Sequence, residues 1–285
     1  MQVTVSPAHE ASAASKDSTM GNNEILSEKH VKDPKVLQFY TILANVQDLG
    51  ESADLKGKTA EQILATYTDD KYTKPAYGSY LTEYDGEIDF GTMEINYIDG
   101  IGWARSATKI DLSNATFKSG FTKGPDNEFA LCTKLETILL PETITEIGNN
   151  AFESCQALTT LSIGTGEDGV VDLTNVDTVG ASAFSVCSSI TTVKFSPLGT
   201  RSTELKLGEK AFANCSKISE IEIPIETAAN LGANAFENCA ALESVGLQDD
   251  LVYINNAVFQ GAGTTSFGVK FYIIGSSDIS ESRIV

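Results

Sequence analysis

Residues 151–163 read AFESCQALTTLSI, and the same spacing of apolar residues recurs along the chain. Close copies begin at Ala183, Ala211 and Ala235, which open AFSVCSSITTVKF, AFANCSKISEIEI and AFENCAALESVGL, and a weaker copy, FALCTKLETILL, begins at Phe129. Counted from the phenylalanine, each copy has cysteine at position +3 and an apolar residue at +6, +9 and +11. Self-similarity of this kind predicts an array of stacked repeats.

The distance between successive phenylalanines gives the length of the repeat. Phenylalanines 129, 152, 184, 212, 236 and 259 are separated by 23, 32, 28, 24 and 23 residues. The shortest unit is therefore 23 residues, and the extra lengths fall after position +11 and before the next I-x-x-I-G segment. The two longest insertions, residues 164–175 and 196–203, are predicted to leave the array side by side at one edge.

Each unit contains two hydrophobic periods. The A-F-x-x-C stretch has apolar residues at helical spacing but is too short for a full helix, which predicts a helical or 3-10 turn. The L-x-x-L-x-I stretch alternates, so we expect a strand with Leu161 and Ile163 inward and Thr160 and Ser162 outward. A single unit cannot bury its apolar side, whereas stacked units would form a parallel sheet over a continuous core.

The full pattern, I-x-x-I-G-x-x-A-F-x-x-C-x-x-L-x-x-I-x-I, resembles the BspA-like leucine-rich repeat. It is matched between residues 144 and 247, with degenerate flanks from about 95 to 274, and residues such as Ile147, Gly148, Ala151, Phe152 and Cys155 carry it. The departures are Glu204, Ala228, Asn255 and Ala262. The resemblance implies a binding or adhesion protein of the bacterial or protist surface, without catalysis.

We therefore predict an α/β fold, a right-handed leucine-rich-repeat solenoid with a parallel β-sheet, short helical or 3-10 turns and a small N-terminal helical cap. Asp33-Pro34 supports the cap, because Asp is a good N-cap residue and Pro suits the first helical position. The predicted regions are a disordered leader at 1–23, an N-terminal helical cap region at 24–87 and the solenoid at 88–285, with degenerate first and last repeats and the best repeats at 129–259.

The cysteines occupy one position of successive units: Cys132, Cys155, Cys187, Cys215 and Cys239. A column of small, buried, free thiols is the expected arrangement. Disulfides between neighbouring units are an alternative, since rungs lie about 5 Å apart, but parallel Cβ vectors are poor disulfide geometry. A zinc site is a second alternative, although no closely spaced cysteine pair or nearby histidine supports it. We expect no metal site.

Charge and hydropathy exclude several classes of partner. The formal net charge is −19, from 39 acidic and 20 basic residues, which would repel nucleic acid and anionic lipid. No segment approaches the roughly 20 apolar residues of a membrane-spanning helix, so we expect no membrane insertion. The polar beginning of the chain has no visible export signal.

The sequence offers no convincing catalytic or cofactor motif. Gly57-Lys58-Thr59 ends like a phosphate-binding loop, but Ser52 stands where that loop requires a glycine. The two histidines, His9 and His30, lie far upstream of the array and leave a nucleophile without a base. We expect no enzyme, no catalytic residue and no cofactor.

Binding is therefore predicted on the outward side chains of the aligned strands. They form two ladders: Thr137, Thr160, Thr192, Glu220 and Ser244, and Leu139, Ser162, Lys194, Glu222 and Gly246. This hydroxyl-rich, partly acidic face lacks Trp, Tyr and Arg anchors, so weak or avidity-driven binding is expected. The insertions at 164–175 and 196–203 are the competing surface, because loops on a rigid scaffold often carry function.

The predicted function is a non-enzymatic, secreted or cell-surface adhesion module, a monomer that binds a protein or glycan ligand on another cell or matrix. The extracellular placement follows from the family resemblance alone. The alternative is a passive structural repeat or spacer region without a ligand of its own.

Overall fold

Parallel strands stacked rung upon rung form the body of the chain in a computed structural model. The structure describes residues 86–90, 105–117, 126–164, 166–197, 204–225, 230–247, 254, 256–263 and 269–274, together with the backbone of 19–20, 24–25 and 94–95. The strands are β1 (Thr19–Met20), β2 (Glu24–Ile25), β3 (Glu87–Asp89), β4 (Glu94–Ile95), β5 (Lys109–Asp111), β6 (Thr116–Phe117), β7 (Thr137–Leu140), β8 (Glu146–Ile147), β9 (Thr160–Ile163), β10 (Val171–Leu173), β11 (Thr178–Val179), β12 (Val193–Phe195), β13 (Lys206–Leu207), β14 (Glu220–Ile223), β15 (Ser244–Leu247) and β16 (Lys270–Ile273).

Four parallel sheets organise the described residues, and the smallest of them is the pair β4-β6. The long sheet has the order β12-β10-β9-β7-β5-β3, and the short sheet has the order β14-β15-β16. Both are built mainly from the L-x-I part of each unit. The I-x-x-I-G part forms a third, back sheet in the order β13-β11-β8. The predicted parallel-sheet solenoid is therefore confirmed for the described residues.

A column of stacked phenylalanine rings runs through the core. Successive rings of Phe129, Phe152, Phe184, Phe212, Phe236 and Phe259 have centroids 5.2, 5.3, 5.1, 5.5 and 5.5 Å apart and interplanar angles of 12° or less. Aromatic pairs at this separation add about 0.5–1.5 kcal/mol each beyond the burial of their area. Each of the four inner rings is thus shielded by the rungs on either side of it.

The cysteines form a second column beside the rings. All five are free and buried, as the sequence predicts. The thiols of Cys155, Cys187, Cys215 and Cys239 each donate to the carbonyl oxygen of a phenylalanine in the preceding rung, at 3.0–3.2 Å. Burial raises the pKa of Cys132 and of Cys239 to about 12. The thiols of Cys155, Cys187, Cys215 and Cys239 are therefore neutral hydrogen-bond donors that connect each of their rungs to the preceding one.

The predicted helical or 3-10 turns are wrong for the five turns from Phe129 to Phe236, whereas the turn of the sixth unit is a 3-10 turn at Asn256–Phe259. The A-F-x-x-C turns have left-handed residues two positions before and two positions after the phenylalanine, such as Asn150 (φ 51°) and Ser154 (φ 62°) around Phe152. Left-handed residues on both sides prevent a right-handed helix from continuing. Instead, the amides of Asn150, Phe152 and Ser154 donate to the carbonyls of Ala181, Ala183 and Ser185 in the next rung.

In the described residues the chain is accordingly a β-solenoid rather than an α/β fold. The helical element within those residues is the 3-10 turn at Asn256–Phe259. The predicted N-terminal helical cap at 24–87 lies outside the described residues, apart from the strand residues at its two ends. β2 pairs antiparallel with β1, and β3 is the first strand of the long sheet.

The insertion at 164–175 is not an edge loop. Gly166 and Gly169 lie against β9, and β10 then adds an extra strand between β9 and β12. In β10, the carboxylate of Asp172 accepts a hydrogen bond from the amide of Thr174 (2.9 Å), as Asp111 does from Ser113 (3.1 Å) after β5. The part of the insertion at 196–203 that follows Pro197 lies outside the described residues.

A column of glycines sets how closely the rungs approach at the back sheet. A Cβ on Gly180 would lie 2.6 Å from the carbonyl carbon of Gly148, and one on Gly208 would lie 2.6 Å from that of Gly180. Backbone atoms cannot move aside as a flexible side chain can. The glycine of the I-x-x-I-G segment is therefore required by contact between rungs.

Replacing Gly180 with alanine should destabilise the fold by about 3 kcal/mol, because the new methyl group would overlap the backbone of the preceding rung. Gly169→Ala is the matched control, since a Cβ there meets nothing within 4 Å and only the left-handed backbone (φ 79°) opposes it. We expect that control to lose about 1 kcal/mol. Urea unfolding of both variants tests this, and equal losses would contradict the contact argument.

Alkaline pH should also destabilise the fold. A cysteine in the unfolded chain loses its proton near pH 9, whereas burial keeps the folded thiols protonated to about pH 12. Stability that is fully present below the unfolded pKa is therefore lost as pH rises toward the folded pKa. Each thiol should remove about 1 kcal/mol from the free energy of unfolding between about pH 8 and about pH 10.

Urea unfolding at the two pH values measures this loss. The Cys187→Ala variant should lose about 1 kcal/mol less than the wild-type protein, because it lacks one of the buried thiols. A wild-type free energy of unfolding that is the same at both pH values would show that the thiols are not shielded.

Candidate interaction face

The outward ladders predicted from the sequence are divided between two sheets. In the long sheet, Thr137 aligns with Thr160 and Leu139 aligns with Ser162. In the short sheet, Glu220 aligns with Ser244 and Glu222 aligns with Gly246. The two sheets are not joined by strand pairing between β12 and β14. The structure therefore brings the ten residues together as two groups rather than as continuous ladders.

Thr192 and Lys194 do not continue the ladder from β9. Thr192 precedes β12, and its carbonyl accepts a hydrogen bond from the amide of Val171 (3.0 Å). Lys194 aligns with Asp172 of the extra strand β10, which separates it from Ser162. The side chains of Thr192 and Lys194 are exposed.

Thr160 and Ser162 are not exposed, and the expectation of an open hydroxyl face at these positions is wrong. Their exposed fractions are 4% and 1%. Residues of the insertion that follows β9 cover them, since the amide of Gly169 donates to Oγ1 of Thr160 (2.8 Å) and Gly166 lies against the Ser162 hydroxyl. The insertion that the sequence placed at an edge therefore occupies the middle of the outer face.

The outer face of the short sheet, formed by Glu220, Glu222, Ser244, Gly246, Lys270 and Tyr272, is open. We call these six residues the acidic-tyrosine face. Glu220, Glu222 and Lys270 are exposed, and Ser244 and Tyr272 are half-buried. Register places Lys270 beside Ser244 and Tyr272 beside Gly246, so β16 adds one rung to each predicted ladder.

Tyr272 spans the width of this face. Its ring passes over Gly246, where an added Cβ would lie 2.9 Å from Cζ of the tyrosine. Its hydroxyl lies 3.1 Å from Oε1 of Glu220 and 3.2 Å from Oε1 of Glu222, two strands away. Gly246, named in the sequence as a ladder position, thus provides the space that the tyrosine occupies.

Sequence reasoning missed Tyr272 as a face residue, although a signal was present. The stretch FGVKFYII from Phe267 is predicted as the closing strand, and extending the ladders by one rung from Ser244 and Gly246 reaches Lys270 and Tyr272. The sequence therefore contained the aromatic anchor that the face was expected to lack.

Two carboxylates share the single hydroxyl proton of Tyr272. Partial burial and the neighbouring carboxylates of Glu220 and Glu222 raise the pKa of the phenol well above its usual range, because all of them disfavour a phenolate. Neither glutamate forms a salt bridge with a described residue. The face therefore presents acceptor oxygens and negative charge around an aromatic ring.

Within the described ranges, no group of three or more His, Cys, Asp or Glu side chains is placed to hold a metal ion. The same ranges contain no helix long and apolar enough to cross a bilayer. His9, His30 and the Gly57-Lys58-Thr59 segment lie outside the described residues.

Removing the carboxylates should lower the pKa of Tyr272 toward the ordinary value for tyrosine. Glu220→Gln combined with Glu222→Gln removes both negative charges while keeping side-chain size. The measurement is an ultraviolet titration of each protein with the corresponding Tyr272→Phe variant subtracted, which isolates one tyrosine among nine. A wild-type difference curve with its midpoint near pH 10 would contradict the geometry.

Comparison with known proteins finds a family model that matches the chain. A family model described as BspA type leucine rich repeat region matches residues 104–170 and 169–277, with six copies. The two matched segments meet at residues 169–170, immediately before the extra strand β10. No curated protein matches the chain.

Solved leucine-rich-repeat structures are similar at a lower level. A leucine-rich repeat protein of T. pallidum is 18% identical, with a TM-score of 0.40, over 66% of this chain and 78% of that one. One from Eubacterium ventriosum is 20% identical, with a TM-score of 0.35, over 65% of this chain and 44% of that one. One from Bacteroides ovatus is 19% identical, with a TM-score of 0.31, over 64% and 59%. The family match extends over more than half of the sequence, and the chain belongs to the BspA type leucine-rich repeat family.

Proposed function

We propose that the chain is a non-enzymatic binding module that presents the acidic-tyrosine face to a protein or glycan on another cell or matrix. BspA-type solenoids are generally binding scaffolds, and no catalytic family matches the chain. The observation that carries the proposal is the Tyr272 ring, which lies over Gly246 with its hydroxyl between Glu220 and Glu222.

Rigidity supports this choice of face. β14, β15 and β16 are paired in register along four residues each, and apolar side chains such as Ile221 and Val245 bury the opposite side of the sheet. The ring of Tyr272 is held from two directions, so little of its conformational freedom remains to be lost on binding. Tyrosine combines a large contact area with a polar end, which is why it is enriched in interfaces.

The chemistry of the face favours partners that donate hydrogen bonds. Glu220 and Glu222 share one donated proton, so most of their acceptor positions are directed to solvent. Sugar hydroxyls and the cationic groups of Lys or Arg are donors of this type. The net charge of −19 favours a basic partner over an acidic one at low salt.

Secretion or display at the cell surface is part of the proposal and depends on the family resemblance. Buried thiols are compatible with it, because an oxidising compartment converts accessible thiol pairs to disulfides. Cys155, Cys187 and Cys215 are buried, and their pKa values are well above the ordinary range because of that burial. We also propose that the module acts as a monomer.

Charge reversal on the face tests the proposal. The chain would be screened by biolayer interferometry against purified matrix proteins and immobilised glycans, and Glu220→Lys with Glu222→Lys would be measured on whatever binds. We expect at least a tenfold loss of affinity, since several interface contacts of about 1 kcal/mol each would be removed.

Glu209→Lys with Glu237→Lys is the matched control, because it makes the same change of charge on the turns that flank Phe212 and Phe236. Equal loss in both variants would indicate general electrostatics rather than this face. If neither variant changed the affinity, the binding site would lie outside the acidic-tyrosine face. If the chain bound no component of the screen, the result would favour the alternative of a passive structural spacer without a ligand of its own.

A further inference from the structure

We propose that residues 166–170, here called the crossover, form a displaceable cover over Thr160 and Ser162 and open while the rest of the solenoid stays folded. In the sequence, seven residues separate β9 from its parallel neighbour β10, where such connections usually need a dozen or more. The short path of the crossover returns directly over the outer side of β9. Opening would uncover the two hydroxyls beside Thr137, their neighbour on β7.

A buried hydroxyl without a partner is the first observation. Oγ of Ser162 is inaccessible to solvent and makes no hydrogen bond. Gly166 lies against it, at a distance that leaves no room for a side chain. The closed crossover therefore denies this hydroxyl both protein partners and water, and opening would restore its hydration.

Few interactions hold the middle of the crossover closed. Its sequence from Gly166 to Gly169, GEDG, has no large apolar side chain, so closing it buries little hydrophobic surface. Among the described residues, the contacts across it are the Gly169–Thr160 hydrogen bond and a 2.6 Å salt bridge between Glu167 and Lys194. The side chains of that salt bridge are 69% and 47% exposed, so salt should weaken it.

The backbone is anchored at Gly164, before the crossover, and at Val170, its last residue. The amide of Gly164 donates to the carbonyl of Leu140 (2.8 Å), and the carbonyl of Val170 accepts from the amide of Leu161 (3.1 Å). Gly164 and Gly169 have φ angles of 77° and 79°, in a region that glycine enters without steric cost. The middle can therefore move while the strands on either side remain paired.

Cysteine labelling tests the proposal, because the five native thiols are buried and serve as internal controls. Ser162→Cys should react with a thiol reagent in the folded protein while the native thiols do not. Lys194→Ala or about 1 M salt should accelerate that reaction by up to about fivefold, as expected for loss of one exposed ion pair. Thr137→Cys, on the same face but outside the crossover, should react at a rate that neither change alters.

Hydrogen exchange of the wild-type protein provides a second measurement that needs no substitution in the covered site. The Gly169 amide, which donates to Thr160, should exchange much faster than the Leu161 and Val171 amides of the adjoining strands. It should also accelerate with salt. A Gly169 amide as protected as that of Leu161, or a Ser162→Cys variant whose introduced thiol reacts only on global unfolding, would overturn the proposal.

Discussion

Contact between successive rungs is the interaction on which the rest of the structure depends. The four inner phenylalanine rings, Phe152, Phe184, Phe212 and Phe236, are each covered by rings 5.1–5.5 Å above and below them. The same is true of the backbone, since the turn amides donate to carbonyls of the next rung. The buried thiols form a third kind of contact between rungs; that of Cys187, for example, donates to the Phe152 carbonyl. Stability in such an array is approximately a sum of repeat and nearest-neighbour terms.

Stacking also explains how a surface can vary while the core does not. The back sheet and the phenylalanine column pass directly from the rung of Phe152 to that of Phe184. The long sheet, in contrast, gains the extra strand β10 between the same two rungs. The insertion therefore changes the outer face, where it covers Thr160 and Ser162, and leaves the column of aromatic rings unbroken. The open acidic-tyrosine face lies on the short sheet, beyond this insertion.

The parts of the fold that were predictable from the sequence are those that repeat. The phenylalanine column, the buried cysteines and the inward positions of the strands follow from one spacing observed in five copies. The turns were misassigned because A-F-x-x-C fits helical spacing as well as it fits a turn with left-handed residues at both ends. β10 was missed because Val171-Asp172-Leu173 has no phenylalanine turn of its own, although Ile110-Asp111-Leu112 has the same pattern. The burial of Thr160 and Ser162 is a tertiary contact that no periodicity records.

The phenylalanine rings from Phe129 to Phe259 stack in one continuous column. Nuclear Overhauser spectroscopy on a sample with selectively labelled phenylalanine rings measures this continuity, because dipolar transfer falls steeply with distance. We expect an unbroken series of ring-to-ring contacts from Phe129 through Phe152, Phe184, Phe212 and Phe236 to Phe259. Rings that fall into separate groups, with no transfer between Phe152 and Phe184 or between Phe184 and Phe212, would contradict it.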